Sequence, residues 1–119
     1  MIVLIGRSAR DNDILSLKLA SPPDFWFHVA GESGSHVVVR NPDRMTNLPR
    51  ETRRFAAALA AGYSRARTGG RVAVHETRIR HISKKRGMEA GKVLMARHST
   101  IRVQPLRLEE DSERTDQRL

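Results

Sequence analysis

The sequence contains no cysteine. That excludes a disulfide framework and any thiolate metal site, and it fits a reducing compartment. No apolar run approaches the length needed to cross a bilayer. The opening MIVLIGR is too short for a secretory signal and has no basic leader. These absences set the expectation of a soluble, cytoplasmic protein with no membrane partner. Aromatic residues are scarce, with one Trp, one Tyr and three Phe, so where they fall matters. The chain has 119 residues, enough for one core and not for two. It holds no internal repeat.

Acidic residues are also short. There are 22 Lys and Arg against 13 Asp and Glu, a net charge of +9. The imbalance is uneven. The last stretch, EEDSERTDQRL at 109–119, carries five acids and two bases, so residues 1–108 carry +12. Between Arg65 and Arg107 stand twelve bases and two acids. Such a field concentrates polyanions and speeds their encounter, and nucleic acid is the commonest such partner. An anionic membrane surface would call for a Lys-rich amphipathic helix, and none is present.

The stretch that organises the chain is Asp24 to Arg40, DFWFHVAGESGSHVVVR. Aromatic and β-branched residues flank a polar turn containing Gly31 and Gly34, which predicts a β-hairpin with arms at Phe25–Ala30 and His36–Arg40. Alternation sets Phe25, Phe27 and Val29 on one face and Trp26, His28 and Ala30 on the other. If the first face is core, the second must be covered by a helix or used for binding.

Around this hairpin, Met1–Ile5 reads as a buried strand. Asp11, Asn12 and Asp13 are candidate N-caps for a short helix carrying Ile14, Leu15, Leu17 and Leu19, stopped by Pro22-Pro23. Residues Pro49–Arg67 predict the main helix, with Phe55, Leu59 and Tyr63 on one face and Gly69-Gly70 after its end. Arg71–Ser83 reads as one strand, placing Arg78 and Arg80 on the same side. Lys84-Lys85-Arg86-Gly87 is a basic loop, and Lys92–Ala96 and Thr100–Gln104 are further strands. The expected fold is α+β: a mostly antiparallel sheet of about five or six strands with one long and one short helix packed on it. The expected domain is 1–108, followed by an acidic, disordered tail at 109–119.

Several constellations could carry function. The small residues of the turn, with Ser35, could bring backbone amides and hydroxyls to a phosphate. Trp26 could stack on an unpaired base, or it could be a core residue. His28 and His36 could donate to phosphate, or act with Asp24 as acid–base groups of an RNA-processing hydrolase, but no nucleophile elbow positions them. No H-x-x-x-H pattern exists and His75, His81 and His98 look scattered, so neither a metal nor a cofactor is expected. Arg78, Arg80, Lys84 and Lys85 form a plausible phosphate track, or a charged, solvated edge strand.

Several words, in order, resemble the NFACT RNA-binding domain family. They are Ile5-Gly6-Arg7 with Asn12-Asp13-Ile14-Leu15; Asp24 with Trp26-Phe27-His28; Gly34-Ser35-His36-Val37; Ala61-Gly62-Tyr63-Ser64 with Ala66-Arg67; Val72, Val74, Thr77 and Arg80 leading into Lys84-Lys85 and Gly87; then Gly91, Val93, Val103 and Pro105. Where the family often has proline, this chain reads Arg86 and Ala90. It also lacks the family's tyrosine near Glu76. Members of the family include ribosome quality-control factors that bind tRNA on a stalled large ribosomal subunit. The resemblance implies a stand-alone, non-enzymatic RNA-binding module for tRNA or rRNA in translation or ribosome quality control, with the large subunit a further candidate partner. It implies an RNA-binding set of Arg7, Trp26, His28, Ser35, His36, Arg78, Arg80, Lys84 and Lys85. A hydrolase using Asp24, His28 and His36, or an adaptor for an acidic protein or for DNA, are the alternatives.

Overall fold

The computed structural model describes residues 1–108. The acidic segment 109–119 lies outside the described residues. The expected hairpin forms, as β2 (Phe25–Val29) and β3 (Val37–Val39), with Trp26 opposite Val38 and Phe27 opposite Val37. β1 (Val3–Ile5) pairs with the outer edge of β3. On the other side β2 pairs with β4 (Val72–Arg78), and β4 pairs with β7 (Ser99–Val103). The result is a five-stranded sheet ordered β1-β3-β2-β4-β7, with every pairing antiparallel. A separate two-stranded ribbon joins β5 (Ile82–Ser83) to β6 (Leu94–Met95). The fold is α+β, as the patterning implies.

One face of the sheet packs on α2 (Arg50–Gly62). Phe25, Phe27, Val37, Val39, Val74, Ile101 and Val103 meet Ala56, Ala57, Leu59, Ala60 and Ala61 there. Alanines have high helix propensity and let the helix axis approach the sheet closely. Phe55, expected on the buried face beside Leu59, is instead 37 % exposed at the helix border. The helix also ends sooner than predicted, at Gly62 rather than near Gly69-Gly70. Tertiary contacts stop it. The carbonyl of Leu106 crosses so near Gly62 that a Cβ there would lie 1.9 Å from it. The next residues turn away to meet the hairpin loop, through a bridge between Gly34 and Ser64.

The opposite face is half covered. α1 (Ala9–Ile14) runs into a π-helical turn at Leu15–Leu19. Its N-cap is Ser8, whose Oγ accepts from the Asp11 amide at 3.0 Å, not one of the three predicted residues Asp11, Asn12 or Asp13. Leu15, Trp26, Val38 and Ile79 form a second small core, with Leu4, Ile82, Val93 and Met95 around it. The predicted strand 71–83 is broken. A 3-10 turn at Ile79–His81 separates β4 from β5, so Arg78 and Arg80 do not share a strand face. The break has a cause: the Ile79 amide donates to the Asp24 carbonyl and the Arg80 amide to the Pro22 carbonyl. The chain thereby wraps around the start of β2 and leaves the main sheet.

Candidate nucleic-acid interface

The hairpin's second face carries a buried polar network. Trp26 Nε1–H donates to Ser16 Oγ at 3.0 Å. Ser16 Oγ lies 2.7 Å from His36 Nδ1, and His36 Nε2 lies 3.0 Å from the Gly91 carbonyl. A carbonyl can only accept, so Nε2 carries the His36 proton. Nδ1 is then the acceptor for the Ser16 hydroxyl, and every polar atom in the chain of bonds is satisfied. The π-helical turn places Ser16 here, at 2 % exposure, with His36 at 1 %.

Neighbouring bonds extend the network. Asn12 Oδ1 accepts from the His36 amide at 3.0 Å, while Asn12 Nδ2 donates to the Gly34 carbonyl at 3.3 Å. Asp13 Oδ1 accepts from the Gly91 amide at 3.0 Å and pairs, through Oδ2, with Lys84 Nζ at 3.2 Å. Lys84 also donates to the carbonyls of Glu89 and Lys92. The segment 84–92 is thus tied to α1 and to β3 at once.

Beside this network lies an open cleft of about 1130 Å³. Its walls are the hairpin turn, the start of α1, the turn after α2 and the segment 88–92. Arg7, Arg65 and Arg67 stand on its rim, all exposed, and none takes part in the ion pairs among the described residues. His28, Ser35 and His75 line it as well. His28 lies between buried neighbours, its ring stacked 5.8 Å from Trp26 and edge-on at 5.4 Å to His36.

The residues picked out in the sequence thus divide. Arg7, His28 and Ser35 meet at the cleft. Trp26 and His36 lie at its floor, buried, and brace it; at 2 % exposure Trp26 offers no stacking face. Lys84 is committed to Asp13 and two carbonyls. Arg78 lies on the α2 side of the sheet, over the Phe25 ring at 4.5 Å and bonded to the carbonyls of Met45 and Thr46. Arg80 and Lys85 are exposed but do not line the cleft. Of the turn amides, that of Ser35 is already engaged. The Ser35 amide donates to the Tyr63 carbonyl, and the Ser33 carbonyl accepts from the Arg65 amide. Gly34 is needed for that approach, since a Cβ there would lie 2.7 Å from Ser64 Cβ. Sequence reasoning missed Arg65 and Arg67. Arg67 stood among the residues of the family resemblance and Arg65 at the start of the basic stretch, but both lay inside a helix predicted to run to Arg67 and neither was placed in the binding set.

The hydrolase alternative does not assemble. Asp24 accepts from the amides of Ser21 and Asn41 at 2.9 and 2.8 Å and pairs with Arg40 at 3.0 Å. It stands at the start of β2, while His28 and His36 meet at the other end of the hairpin pairing. Among the described residues no group of three His, Cys, Asp or Glu could hold a metal ion. No helix there is long and apolar enough to cross a membrane.

Burial pushes the His36 pKa down to about 4, helped by the adjacent His28 and opposed by the Gly91 carbonyl and Asp13. His28 and His75 are lowered too, chiefly by burial. An imidazole held neutral in the fold and free to protonate when unfolded stabilises the fold above pH 6.5. That contribution declines as pH falls from 6.5 towards 4. For His36 the decline amounts to about 3 kcal/mol, to be read as a falling urea midpoint across that pH range, and His36→Gln flattens the profile. Ser16→Ala orphans Trp26 Nε1 and His36 Nδ1 together. It is expected to cost about 1–3 kcal/mol in denaturant unfolding.

Comparison with known proteins agrees with this architecture. The family model described as the NFACT protein RNA binding domain matches residues 1–97. The Rqc2 homolog RqcH of Bacillus subtilis is 35 % identical over 107 residues, covering 88 % of this chain, and the Streptococcus suis protein of the same name is 34 % identical over 104 residues. This chain spans 18 % of the length of each of these relatives. The solved C-terminal part of the fibronectin/fibrinogen-binding protein from Streptococcus suis superposes with a TM-score of 0.82 at 32 % identity, covering 92 % of this chain and 43 % of that one. The fold, the cleft and these matches lead to one conclusion: the chain belongs to the NFACT RNA-binding domain family.

Proposed function

We propose that residues 1–108 form a non-catalytic module that binds structured RNA, either tRNA or rRNA of the large ribosomal subunit, in cytoplasmic ribosome quality control. The observation that carries this reading is the rim of the cleft. Arg7, before α1, and Arg65 and Arg67, in the turn after α2, converge there, exposed and outside the ion pairs of the described residues. Arginines held with no acid partner suit phosphate oxygens, which they can meet with two parallel bonds. Two carboxylates, Glu32 and Glu89, also border the cleft, so the attraction is local to the arginines and not a uniform field. The names of the RqcH relatives support the process, and the family supports RNA as the polymer. Arg80, Lys85 and Arg86, outside the cleft lining, would extend the phosphate track. Arg78 and Lys84 would add little, because their side chains are already engaged.

Titration with total tRNA at several salt concentrations tests this reading. The affinity should fall steeply with salt, because neutralised phosphates release counterions. Arg7→Ala/Arg65→Ala/Arg67→Ala should weaken binding and flatten the slope of log K against log salt by about one for each phosphate no longer neutralised. Binding that ignores salt, or a triple variant that binds as wild type does, contradicts the site. Equal affinity for duplex DNA of matched charge favours the adaptor reading instead.

A further inference from the structure

The sheet face opposite α2 is covered unequally. The α1 and π-turn segment, with the β5–β6 ribbon, packs on Leu4, Val38 and Trp26. Beyond Trp26, across β4 and β7, the described residues place no second layer. The register lines up His28, His75 and Thr100 across β2, β4 and β7. The next residues along are Ala30, Ala73 and Arg102, with the Ala30 amide donating to the Ala73 carbonyl. His98 lies edge-on to His75, ring centroids 4.2 Å apart. Three imidazoles from different strands and loops thus meet on one open face, with Ala30, Ala73 and Thr100 as small neighbours.

The charges around this face are arranged at its borders. Arg71 and Arg102 stand on the β4–β7 side, each donating to the other's carbonyl at 3.3 Å. Arg7, Arg65 and Arg67 stand across the cleft, which His28 and His75 also line. Glu76 lies on the α2 side, paired with Arg53. Glu32 sits in the hairpin turn. The middle of the face is therefore uncharged while its imidazoles are neutral, and its two borders are basic. One polar atom is left over: His75 Nδ1 is buried and has no hydrogen-bond partner among the described residues.

We propose that this open half of the sheet is a platform for unpaired RNA nucleotides, with bases stacked on the His75 and His98 rings and phosphates held by the arginines on either border. A flat base needs an accessible ring and small neighbours, and Ala30, Ala73 and Thr100 supply the clearance. A duplex hides its base faces and gains nothing from such a surface. The stacking surface that Trp26 cannot provide is thus supplied by histidines on β4 and in the loop before β7. This inference rests on the RNA reading above and sharpens it from RNA in general to its unpaired segments.

Anisotropy titrations with an unpaired RNA oligonucleotide, an abasic strand of equal length and charge, and duplex RNA test the platform. Wild type should prefer the base-bearing strand. His98→Ala and His75→Ala should each weaken that binding by about 5- to 100-fold for each base that no longer stacks and leave the abasic strand and the duplex unchanged. His98 is exposed, so its variant decides the matter if the His75 variant folds poorly. Equal binding of base-bearing and abasic strands, or a His98→Ala variant that binds as wild type does, overturns the platform. If tRNA binding still depends on Arg7, Arg65 and Arg67 in that case, the RNA reading stands without it. If no RNA binds at all, both fall.

Discussion

The neutral imidazole of His36 joins three segments distant in sequence. Its ring accepts from Ser16 on the π-helical turn and donates to Gly91 in the loop before β6, while its amide is held by Asn12. Both ring nitrogens are used: Nε2 donates to the Gly91 carbonyl, and Nδ1 accepts from the Ser16 hydroxyl, whose oxygen accepts from Trp26. The cleft exists because these segments are fixed at the end of the hairpin. The Ser16–His36 pair has the spacing of a catalytic dyad but serves as a brace, since both residues are buried and their bonding is complete.

Charge density along the sequence does not say which cations stay open to a polyanion. The densest basic run in the sequence is Lys84-Lys85-Arg86, yet Lys84 closes its own loop onto Asp13. Arg78 and Arg53 are likewise occupied by carbonyls or by Glu76. Three cations outside the ion pairs, Arg7, Arg65 and Arg67, meet where the hairpin turn, the start of α1 and the turn after α2 come together, Arg67 with only a 3.5 Å bond to the Ser64 carbonyl. In a chain this basic, the cations that matter for a polyanion are those the fold has not already used.

The hairpin was legible because alternation and the Gly-containing turn act locally, and it brought with it the correct division of Phe25 and Phe27 from Trp26 and His28. The second face is covered at Trp26, one of the two outcomes that patterning allowed, and His28 lies at the cleft. What was not legible depended on contacts distant in sequence. The strand at 71–83 breaks because Ile79 and Arg80 bond back to residues 22–24. The helix ends at Gly62 because the segment around Leu106 crosses it. His75 and His98 looked scattered because only the β4–β7 register, with the loop before β7, brings their rings together. Arg65 and Arg67 stayed out of the binding set because the predicted helix ran through them.

The most direct measurement of the central claim is chemical-shift mapping of the isotope-labelled protein during titration with unpaired RNA. The account predicts perturbations centred on Ala30, Ala73, His75, Thr100 and the Arg65–Arg67 turn, with the outer face of α2 at Arg50 and Arg54 unmoved. Shifts centred instead on the Lys84–Gly87 loop or on α2, with the open half of the sheet silent, would contradict it.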